Sequence, residues 1–355
     1  MSIKLRFTLV LATAIAVAGC QTIGPGSLQR DRLNYADAIA SSWREQMLLN
    51  IVKLRYFDAP VFLEVSSVIG SYTLQGDVNL VSRIVPFSRT DTYHQLGATG
   101  TYTDHPTISY TPVTGQKYIN SLLRPIPPQA IFAMIQGGHP ADYILRLSVQ
   151  AINGVYNYAV GPARAQREDP AFNKVIEALR HVQQAGALEI RTEKRADREV
   201  TLLGFRENVS PDVDQDVSFV RDTLGIRPET KELVLTFGAM RGSGNEITLL
   251  TRSMLEILAE LSTGVDVPPQ DMAEGRATKA PRLDGKPHIY ALLRIHSGHE
   301  RSPDAWIATR YRDDWFWVDD RDLESKRVFT FLTVFSSIAE TGSVPQIPVI
   351  TIPAN

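Results

Sequence analysis

The spacing of hydrophobic residues changes several times along this chain, and each change predicts a different secondary structure. From Asn34, apolar residues recur every three or four positions until Asp58-Ala59-Pro60 interrupts the pattern. This spacing places them along one side of a helix, so residues 34–57 are predicted to form an amphipathic helix. The long apolar stripe indicates that this helix packs against a large hydrophobic surface.

A period of two follows the predicted helix. Apolar and polar residues alternate over residues 61–80, with one shift at Ser66-Ser67, and the alternation returns over residues 96–110. Alternation is typical of strands with one buried face, and a single shift indicates a β-bulge. His105-Pro106 is predicted to form a turn. We therefore predict an antiparallel sheet in this region.

The middle of the chain returns to helical spacing. Helices are predicted to begin at Thr114, Pro127, Pro140 and Asp169, and the third is predicted to continue as far as Val155. Proline suits the first turn of a helix because the N–H that it lacks would have no partner there. Glycine follows several of these segments, as expected after the last helical turn. These residues form the predicted central helical segment.

Strands and helices are mixed in the C-terminal part of the chain. The patterns predict a hairpin within residues 188–205, a helix over 246–261, a second hairpin from 305–311 and 315–319, and a helix over 325–340. The fold class predicted from all these elements is α+β, with antiparallel sheet regions, a central helical segment and a C-terminal mixed α/β portion.

The chain has 355 residues, enough for one large domain or two moderate ones. The best candidate boundary lies near residue 165. We therefore predict one region over residues 34–165, with a helix, antiparallel strands and further helices, and a mixed α/β region over residues 166–355.

The N-terminus carries the most specific signal. Lys4 and Arg6 precede an uninterrupted apolar run over residues 7–18. The run is shorter than the stretch of about 20 residues that spans a bilayer, and it suits the core of a signal peptide. Val17-Ala18-Gly19-Cys20 ends the run, and Cys20 is the only cysteine of the chain. These four residues resemble the lipobox of bacterial lipoproteins.

The lipobox resemblance implies that residues 1–19 are a signal peptide, cleaved before Cys20. It also implies a diacylglyceryl group on the Cys20 sulfur and N-acylation, with residues 20–33 as a lipidated tether. Residue 21 is Gln and not the Asp that retains many enteric lipoproteins at the inner membrane, so the resemblance implies the periplasmic face of the outer membrane. Because each buried methylene contributes about 0.8 kcal/mol, two or three acyl chains anchor a protein essentially permanently. An ordinary secretory signal with an incidental cysteine is the alternative interpretation.

Charge and composition exclude several classes of function. The formal net charge is −2 at pH 7, and loss of Lys4 and Arg6 with the signal peptide would make it −4, so we expect no nucleic-acid partner. With Cys20 lipidated, no thiol remains for a disulfide, a nucleophile or a metal ligand. The histidines of His296-Ser297-Gly298-His299-Glu300 do not have the spacing of the zincin motif. We therefore predict no metal site and no cofactor apart from the covalent lipid.

One acidic and aromatic segment admits two interpretations. Asp313, Asp314, Asp319 and Asp320 surround Trp315-Phe316-Trp317. Sugar sites combine such residues, because rings stack on sugar faces and paired carboxylates perform hydrolysis. Under this interpretation the four aspartates are catalytic candidates, and Trp315 and Trp317 bind the ligand. The same residues also fit a hairpin that buries one row of rings and uses Asp in its turns, which is the favoured interpretation.

Residues 42–56 and 315–322 resemble segments of uncharacterised proteobacterial lipoproteins, a resemblance that implies no activity. The sequence therefore favours a non-enzymatic, membrane-anchored protein that binds other envelope proteins as an assembly or structural component. The alternative is a binding module or hydrolase directed at glycan or peptidoglycan through the acidic hairpin. These hypotheses differ in whether the acids are paired in an open cleft beside an exposed ring.

Overall fold

The computed structural model describes residues 28–69, 72–83, 93–157, 159–161, 164–166, 169–195, 198–240, 242–277, 282–283, 286–287 and 292–339. This part of the chain divides into two units. Unit 1 contains the residues up to Pro60 and those from Thr114 onward, and unit 2 is Val61–Val113. The boundary predicted near residue 165 falls inside unit 1, where a single sheet takes strands from both sides of it. Cys20 and the predicted signal peptide, residues 1–19, lie outside the described residues.

Unit 1 begins with helix α1, Leu28–Arg55, which confirms the predicted helix but extends it by six residues. Residues 28–33 were predicted to belong to the tether, and they are helical because the last strong helix breakers are Pro25 and Gly26. Leu33 and Ile39 are exposed at 63% and 38%, whereas residues 47–52 are mostly buried. Only the C-terminal half of α1 therefore packs into the core of unit 1.

A mixed six-stranded sheet forms the centre of unit 1. Its strands are β5 (Val149–Ile152), β6 (Val155–Tyr156), β9 (Leu188–Arg195), β10 (Arg198–Phe205), β11 (Glu232–Phe237) and β12 (Glu246–Thr251). Their order across the sheet is β6-β5-β12-β11-β10-β9. Strands β11 and β12 are parallel, and the other pairs are antiparallel.

Helices pack around this sheet. They are α2 (Gly115–Tyr118), which continues as a π-helical turn over Ile119–Leu123, α3 (Pro128–Gln136), α4 (Ala141–Ser148), α5 (Pro170–Gln184), α6 (Pro211–Leu224), α7 (Met254–Leu261) and α8 (Pro269–Ala273). Helix α5 contacts α4 and α6, and α3 contacts the sheet at β9 and β11. The short strands β7 (Ala159–Gly161) and β8 (Arg164–Gln166) pair with each other, as do β13 (Arg282–Leu283) and β14 (Lys286–Pro287).

The single helix predicted over residues 246–261 is wrong, because its first six residues form β12. This strand lies between β5 and β11, and it is largely buried. A strand covered on both faces lacks polar–apolar alternation, so its pattern resembles that of a buried helix. Helix α7 begins after Ser253, whose side chain accepts a hydrogen bond from Glu256 N while Glu256 accepts one from Ser253 N. This capping box marks the helix start that periodicity did not reveal.

The helix predicted from Pro140 to Val155 is also wrong in its second half. Helix α4 ends at Ser148, and β5 and β6 follow it as a tight hairpin. Asn153 and Gly154 form the two-residue loop, with positive φ angles of 46° and 82°. Asn-Gly is the sequence best suited to a type I′ turn, because both residues tolerate positive φ. This local signal decides the structure against the helical spacing.

The C-terminal part of unit 1 contains a three-stranded antiparallel sheet, in the order β15-β17-β16. The strands are β15 (His296–Gly298), β16 (Ala305–Tyr311) and β17 (Asp314–Asp319), followed by α9 (Leu323–Ala339). The predicted hairpin and helix are therefore confirmed. Helix α1 packs against β16, which places the end of α1 beside the acidic hairpin.

Unit 2 is a long antiparallel ribbon. Strand β1 (Leu63–Ile69) pairs with β4 (Thr107–Pro112), and β2 (Tyr72–Arg83) pairs with β3 (Tyr93–Asp104). The predicted bulge is confirmed, because the register shifts between Val65 and Ser67. His105-Pro106, which was predicted to form a turn, lies between β3 and β4, where the pairing passes from Tyr72↔Asp104 to Ile69↔Thr107. The pairs β1–β4 and β2–β3 are separate two-stranded sheets, and proline has no N–H to donate between them.

The predicted α+β class is confirmed for the part of the chain that the structure describes, with antiparallel sheets in both units and helices grouped between residues 115 and 184. Within those same residues, none of the helices combines the length and the apolar character needed to cross a membrane.

Candidate functional site

The acidic hairpin separates its predicted residues onto two faces. Along β17 the burial alternates, so that Asp314, Phe316 and Val318 are buried, whereas Trp315, Trp317 and Asp319 are half-buried. Successive side chains of a strand point to opposite faces of the sheet. The two tryptophans therefore share the outer face, and Asp314 belongs to the face that packs into unit 1.

The four candidate aspartates do not form one cluster. Asp313 and Asp314 lie at the start of β17, and Asp319 and Asp320 lie at its end. At about 3.3 Å per residue, this strand separates the two pairs by about 16 Å. Retaining glycosidases need carboxyl groups about 5 Å apart, and inverting ones need about 6.5–9.5 Å. The two ends of β17 therefore cannot supply one catalytic pair.

The aspartates at the end of β17 have local partners. Asp319 Oδ1 accepts a hydrogen bond from Arg321 N at 2.8 Å, which is the geometry of an Asx turn. Asp320 Oδ1 lies 2.5 Å from Lys326 Nζ at the start of α9. These contacts match the structural interpretation of the acidic residues, in which Asp forms turns.

The outer face of the sheet brings the tryptophans together with Arg301 and His296. The Arg301 guanidinium lies 5.9 Å from the Trp315 ring centre, and the His296 ring lies 5.8 Å from that of Trp317. A Cβ atom added to Gly298 would lie 3.3 Å from the Trp317 ring, so glycine lets the strand approach the indole closely. We call these five residues the tryptophan face.

The inner side of the hairpin holds a polar network that the sequence did not predict. The Tyr56 hydroxyl, at the end of α1, donates a hydrogen bond of 2.7 Å to Asp271 Oδ2 in α8. Both residues are 5% exposed. Arg276 Nη1 lies 3.0 Å from the other Asp271 oxygen, so the buried carboxylate has partners on both oxygens. The network links two segments that are distant in the sequence, the end of α1 and the region of α8.

The turn of the hairpin joins this network through Arg312. Its guanidinium lies 4.8 Å from the ring centre of Tyr56 and 5.5 Å from that of Tyr311, and it is 3.5 Å from Asp58. The Tyr311 hydroxyl donates a hydrogen bond to the same Asp58 carboxylate. The end of α1 and the hairpin turn are therefore held together by stacking and charge.

Asp314 lies close to this network on the inner face. His299 Nδ1 is 2.9 Å from Asp314 Oδ1, but the two atoms do not meet the geometry of a hydrogen bond. Asp314 is 8% exposed, whereas the His299 side chain is 84% exposed. The buried carboxyl group therefore meets a largely exposed ring, and no third group completes a catalytic arrangement among the described residues around it.

The network is suited to fixing structure and not to proton transfer. Burial raises the pKa of the Tyr56 phenol well above its usual range, and the hydrogen bond to Asp271 raises it further. A phenol with a raised pKa stays protonated at neutral pH and acts as a hydrogen-bond donor. Sequence reasoning missed this network because Tyr56 and Asp271 are 215 positions apart and belong to no motif.

The backbone at Arg312 allows a specific test of the network. Arg312 is the first residue of the β16–β17 turn and has a φ of 54°, a left-handed conformation that costs an L-residue roughly 1–2 kcal/mol. Arg312→Ala loses the stacking and keeps the strain, whereas Arg312→Gly loses the same contacts and relieves it. We expect the Gly variant to be more stable than the Ala variant by about 1 kcal/mol, measured by urea unfolding. Equal stability, or a more stable Ala variant, would contradict this account of the turn.

A half-open groove of about 870 Å³ lies elsewhere in unit 1, between β10, β11 and α6. Phe205 and Val217 contribute apolar surface, and Lys231 pairs with Glu207 at 3.0 Å across its rim. The Arg221 guanidinium stacks 5.3 Å from the Phe205 ring and donates a hydrogen bond to the carbonyl of Thr230. These contacts fix the residues that lead into β11. Lys231 and Arg221 contact groups of the protein itself, so they do not indicate which kind of ligand the groove would bind.

Among the described residues, no group of three or more His, Cys, Asp or Glu side chains is arranged to hold a metal ion. The best-defined candidate site of unit 1 is the tryptophan face, with the polar network beneath it. In unit 2 the candidate surface is the ribbon. Comparison with protein-family models, with curated protein sequences and with solved structures gives no match for this chain.

Proposed function

We propose that this protein is a lipoprotein, anchored through Cys20 to the periplasmic face of the outer membrane, and that it acts by binding other envelope proteins. The lipobox-like residues 17–20, followed by Gln21, support the anchor. Binding as the mode of action is supported chiefly by one structural observation, the exposed ribbon of unit 2. Leu63, Ile108 and Tyr110 in its β1–β4 pair are 43%, 41% and 56% exposed. Apolar residues grouped on an exposed surface are typical of interaction sites.

The anchor has a direct test in the intact protein. We expect the mature N-terminal residue to be a lipid-modified Cys20, detected by mass spectrometry, and the protein to fractionate with the outer membrane. Cys20→Ala should lose the lipid and the processing, and Gln21→Asp, in an enteric host, should move the protein to the inner membrane. A mature N-terminus at any other residue would refute the lipoprotein proposal.

Binding of envelope proteins is tested by crosslinking intact cells and purifying the lipidated protein. We expect a stoichiometric partner that is lost or strongly reduced for Cys20→Ala, because release from the membrane removes the high local concentration. Recovery of no partner above background from the wild-type protein would contradict the binding proposal even if the lipid were present.

A second candidate function is glycan binding at the tryptophan face. The specific observation in its favour is that Trp315 and Trp317 lie side by side on the outer face of one strand, where indoles can stack on sugar rings. The separated aspartates favour binding over hydrolysis. Peptidoglycan fragments should then raise the melting temperature of the wild-type protein and not that of Trp315→Ala. Trp306→Phe is the control, because Trp306 packs against Phe329 on another surface.

A further inference from the structure

The β2–β3 pair of unit 2 is a regular two-stranded arm. Strands β2 and β3 have 12 residues each and pair in an unbroken antiparallel register from Tyr72↔Asp104 to Arg83↔Tyr93. At about 3.4 Å per residue, the arm is about 40 Å long. An isolated two-stranded ribbon is at best marginally stable in water, so an arm of this length needs additional contacts.

The register divides the arm into two alternating sets of residue pairs. Directly paired residues of a sheet share a face, and every second pair belongs to the same face. In the sequence one set is mostly apolar, with the pairs Leu74↔Tyr102, Gly76↔Gly100, Val78↔Ala98 and Leu80↔Leu96. The other set is mostly polar and uncharged, with the pairs Thr73↔Thr103, Gln75↔Thr101, Asp77↔Thr99 and Asn79↔Gly97.

The edges of the arm lack the features that normally block strand pairing. Soluble proteins protect exposed edges with lysine, proline, bulges or inward-pointing charges. Strands β2 and β3 contain no lysine and no proline, and their mutual register has no shift. Apart from Asp77, the charged residues of the arm are Arg83 and Asp104, which lie at its two ends. Both edges are therefore suited to accept a further strand.

We propose that copies of this chain pair their arms edge to edge, so that β2 of one copy lies antiparallel to β3 of the next. Within one arm β2 and β3 run in opposite directions. If all copies have the same orientation, β2 of one copy is therefore antiparallel to β3 of the next. A single interface, repeated, then pairs both edges of every arm, whereas an unrelated partner would pair only one. The common direction rests on the proposed lipid anchor, because tethering to one membrane orients all copies alike.

The alternation of apolar and polar residues along β2 and β3 supports a second copy of this chain as the neighbour of the arm. In a shared sheet, each strand must place its apolar residues on the same side as its neighbours, because a slip of one residue exposes the whole apolar set. A second copy carries the same alternation over the same length, so it matches along all 12 residues of each strand. The interface is heterologous, with different strands meeting, and it can therefore join more than two copies.

Oligomeric state in mild detergent provides the first test. Light scattering of the full-length lipidated protein should give a mass of several chains. In a shortened variant, residues 70–106 are replaced by Asn-Gly, which should close the remaining β1–β4 ladder after the Ile69↔Thr107 pair. We expect this variant to be monomeric, with the thermal unfolding of unit 1 unchanged. A monomeric wild-type protein, or an oligomeric shortened variant, would overturn the proposal.

Cysteine crosslinking distinguishes edge pairing from other contacts between arms. Asn79 in β2 and Gly97, Thr99 and Thr101 in β3 are exposed on the polar face. Differently tagged chains carrying one new cysteine each are co-expressed and oxidised, so every new disulfide joins two chains. Asn79→Cys should crosslink with one of the β3 variants, and it should not crosslink with itself. Crosslinking of Asn79→Cys only with itself, or with none of the β3 variants, would overturn edge pairing.

The wild-type chain, whose only cysteine is Cys20, is the background control in this experiment. Failure of the anchor and failure of the arm can also be separated. A wild-type protein that is not lipidated but still assembles through its arm would refute the anchor and support the arm. A lipidated monomer, whether or not its arm crosslinks to another envelope protein, would refute the arm proposal alone.

Discussion

Asn153→Ala is expected to destabilise unit 1 by about 3–5 kcal/mol, a large fraction of the 5–15 kcal/mol that folds a typical domain. The Asn153 amide is 3% exposed and donates to the carbonyls of Leu224 and Glu246 at 2.9 and 3.2 Å. Its Oδ1 accepts hydrogen bonds from Thr248 N at 2.6 Å and Thr248 Oγ1 at 3.1 Å. Alanine would remove this partner from Thr248 N and from the carbonyls of Leu224 and Glu246, whereas Thr248 Oγ1 still donates to the carbonyl of Met240 at 2.7 Å. Each buried polar group that loses its partner costs about 1–3 kcal/mol.

The backbone at Asn153 adds a second, separable contribution. Its φ of 46° is tolerated by asparagine but strained for alanine. Asn153→Gly removes the same side-chain hydrogen bonds without this strain, so it should be more stable than Asn153→Ala by about 1 kcal/mol and still far less stable than the wild type. All four tryptophans of the chain belong to unit 1, so their fluorescence during urea unfolding reports this difference. A loss below 1 kcal/mol for the alanine variant would show that the amide does not hold the hairpin in place.

Asn153 also illustrates why sequence patterns succeeded in one part of the chain and failed in another. The alternation over residues 61–80 predicted the ribbon and its bulge because each strand has two different faces. Residues 246–251 form a strand with both faces covered, so the alternation disappears and a helix was predicted instead. At residues 140–155, helical spacing continued past Ser148, but the Asn-Gly turn fixed a hairpin. Local turn and cap chemistry carried the correct information in both of these cases.

The candidate site was predictable only where it is local. The alternation of Trp315, Phe316 and Trp317 correctly indicated a hairpin with one buried ring row, and the turn at Arg312 was anticipated. The polar network beneath it was not, because Tyr56 meets Asp271 through the packing of α1 and α8 and not through any spacing along the chain. The separation of the aspartates to the two ends of β17 likewise depends on the strand bounds, which periodicity leaves uncertain by a few residues.

Arg252→Met is the other substitution expected to have a large effect, with a loss of about 2–5 kcal/mol. Arg252 is 3% exposed, and its Nη1 donates to the carbonyls of Arg146 and Leu147 at 3.0 Å each, in the last turn of α4. The carbonyls of a helix end have no partners within the helix, and a cation there also favours the helix dipole. Methionine matches the length of the side chain but supplies no donor, so both buried carbonyls lose a hydrogen bond.

The charge of Arg252 does not explain its position by itself. Burial lowers the pKa of the Arg252 guanidinium, whereas the charges of Glu260 and Glu256 raise it. Its hydrogen bonds to two carbonyls further compensate for its burial. Arg252→Lys keeps the charge but replaces the planar guanidinium with a compact ammonium group, so its loss should lie between those of the wild type and Arg252→Met. Arg321→Met is the matched control, because Arg321 is 78% exposed and pairs with Asp304 at 3.3 Å on the surface. That control should change the free energy of unfolding by less than about 1 kcal/mol. If Arg252→Met were equally mild in urea unfolding, the buried guanidinium would not be what joins the end of α4 to the start of α7.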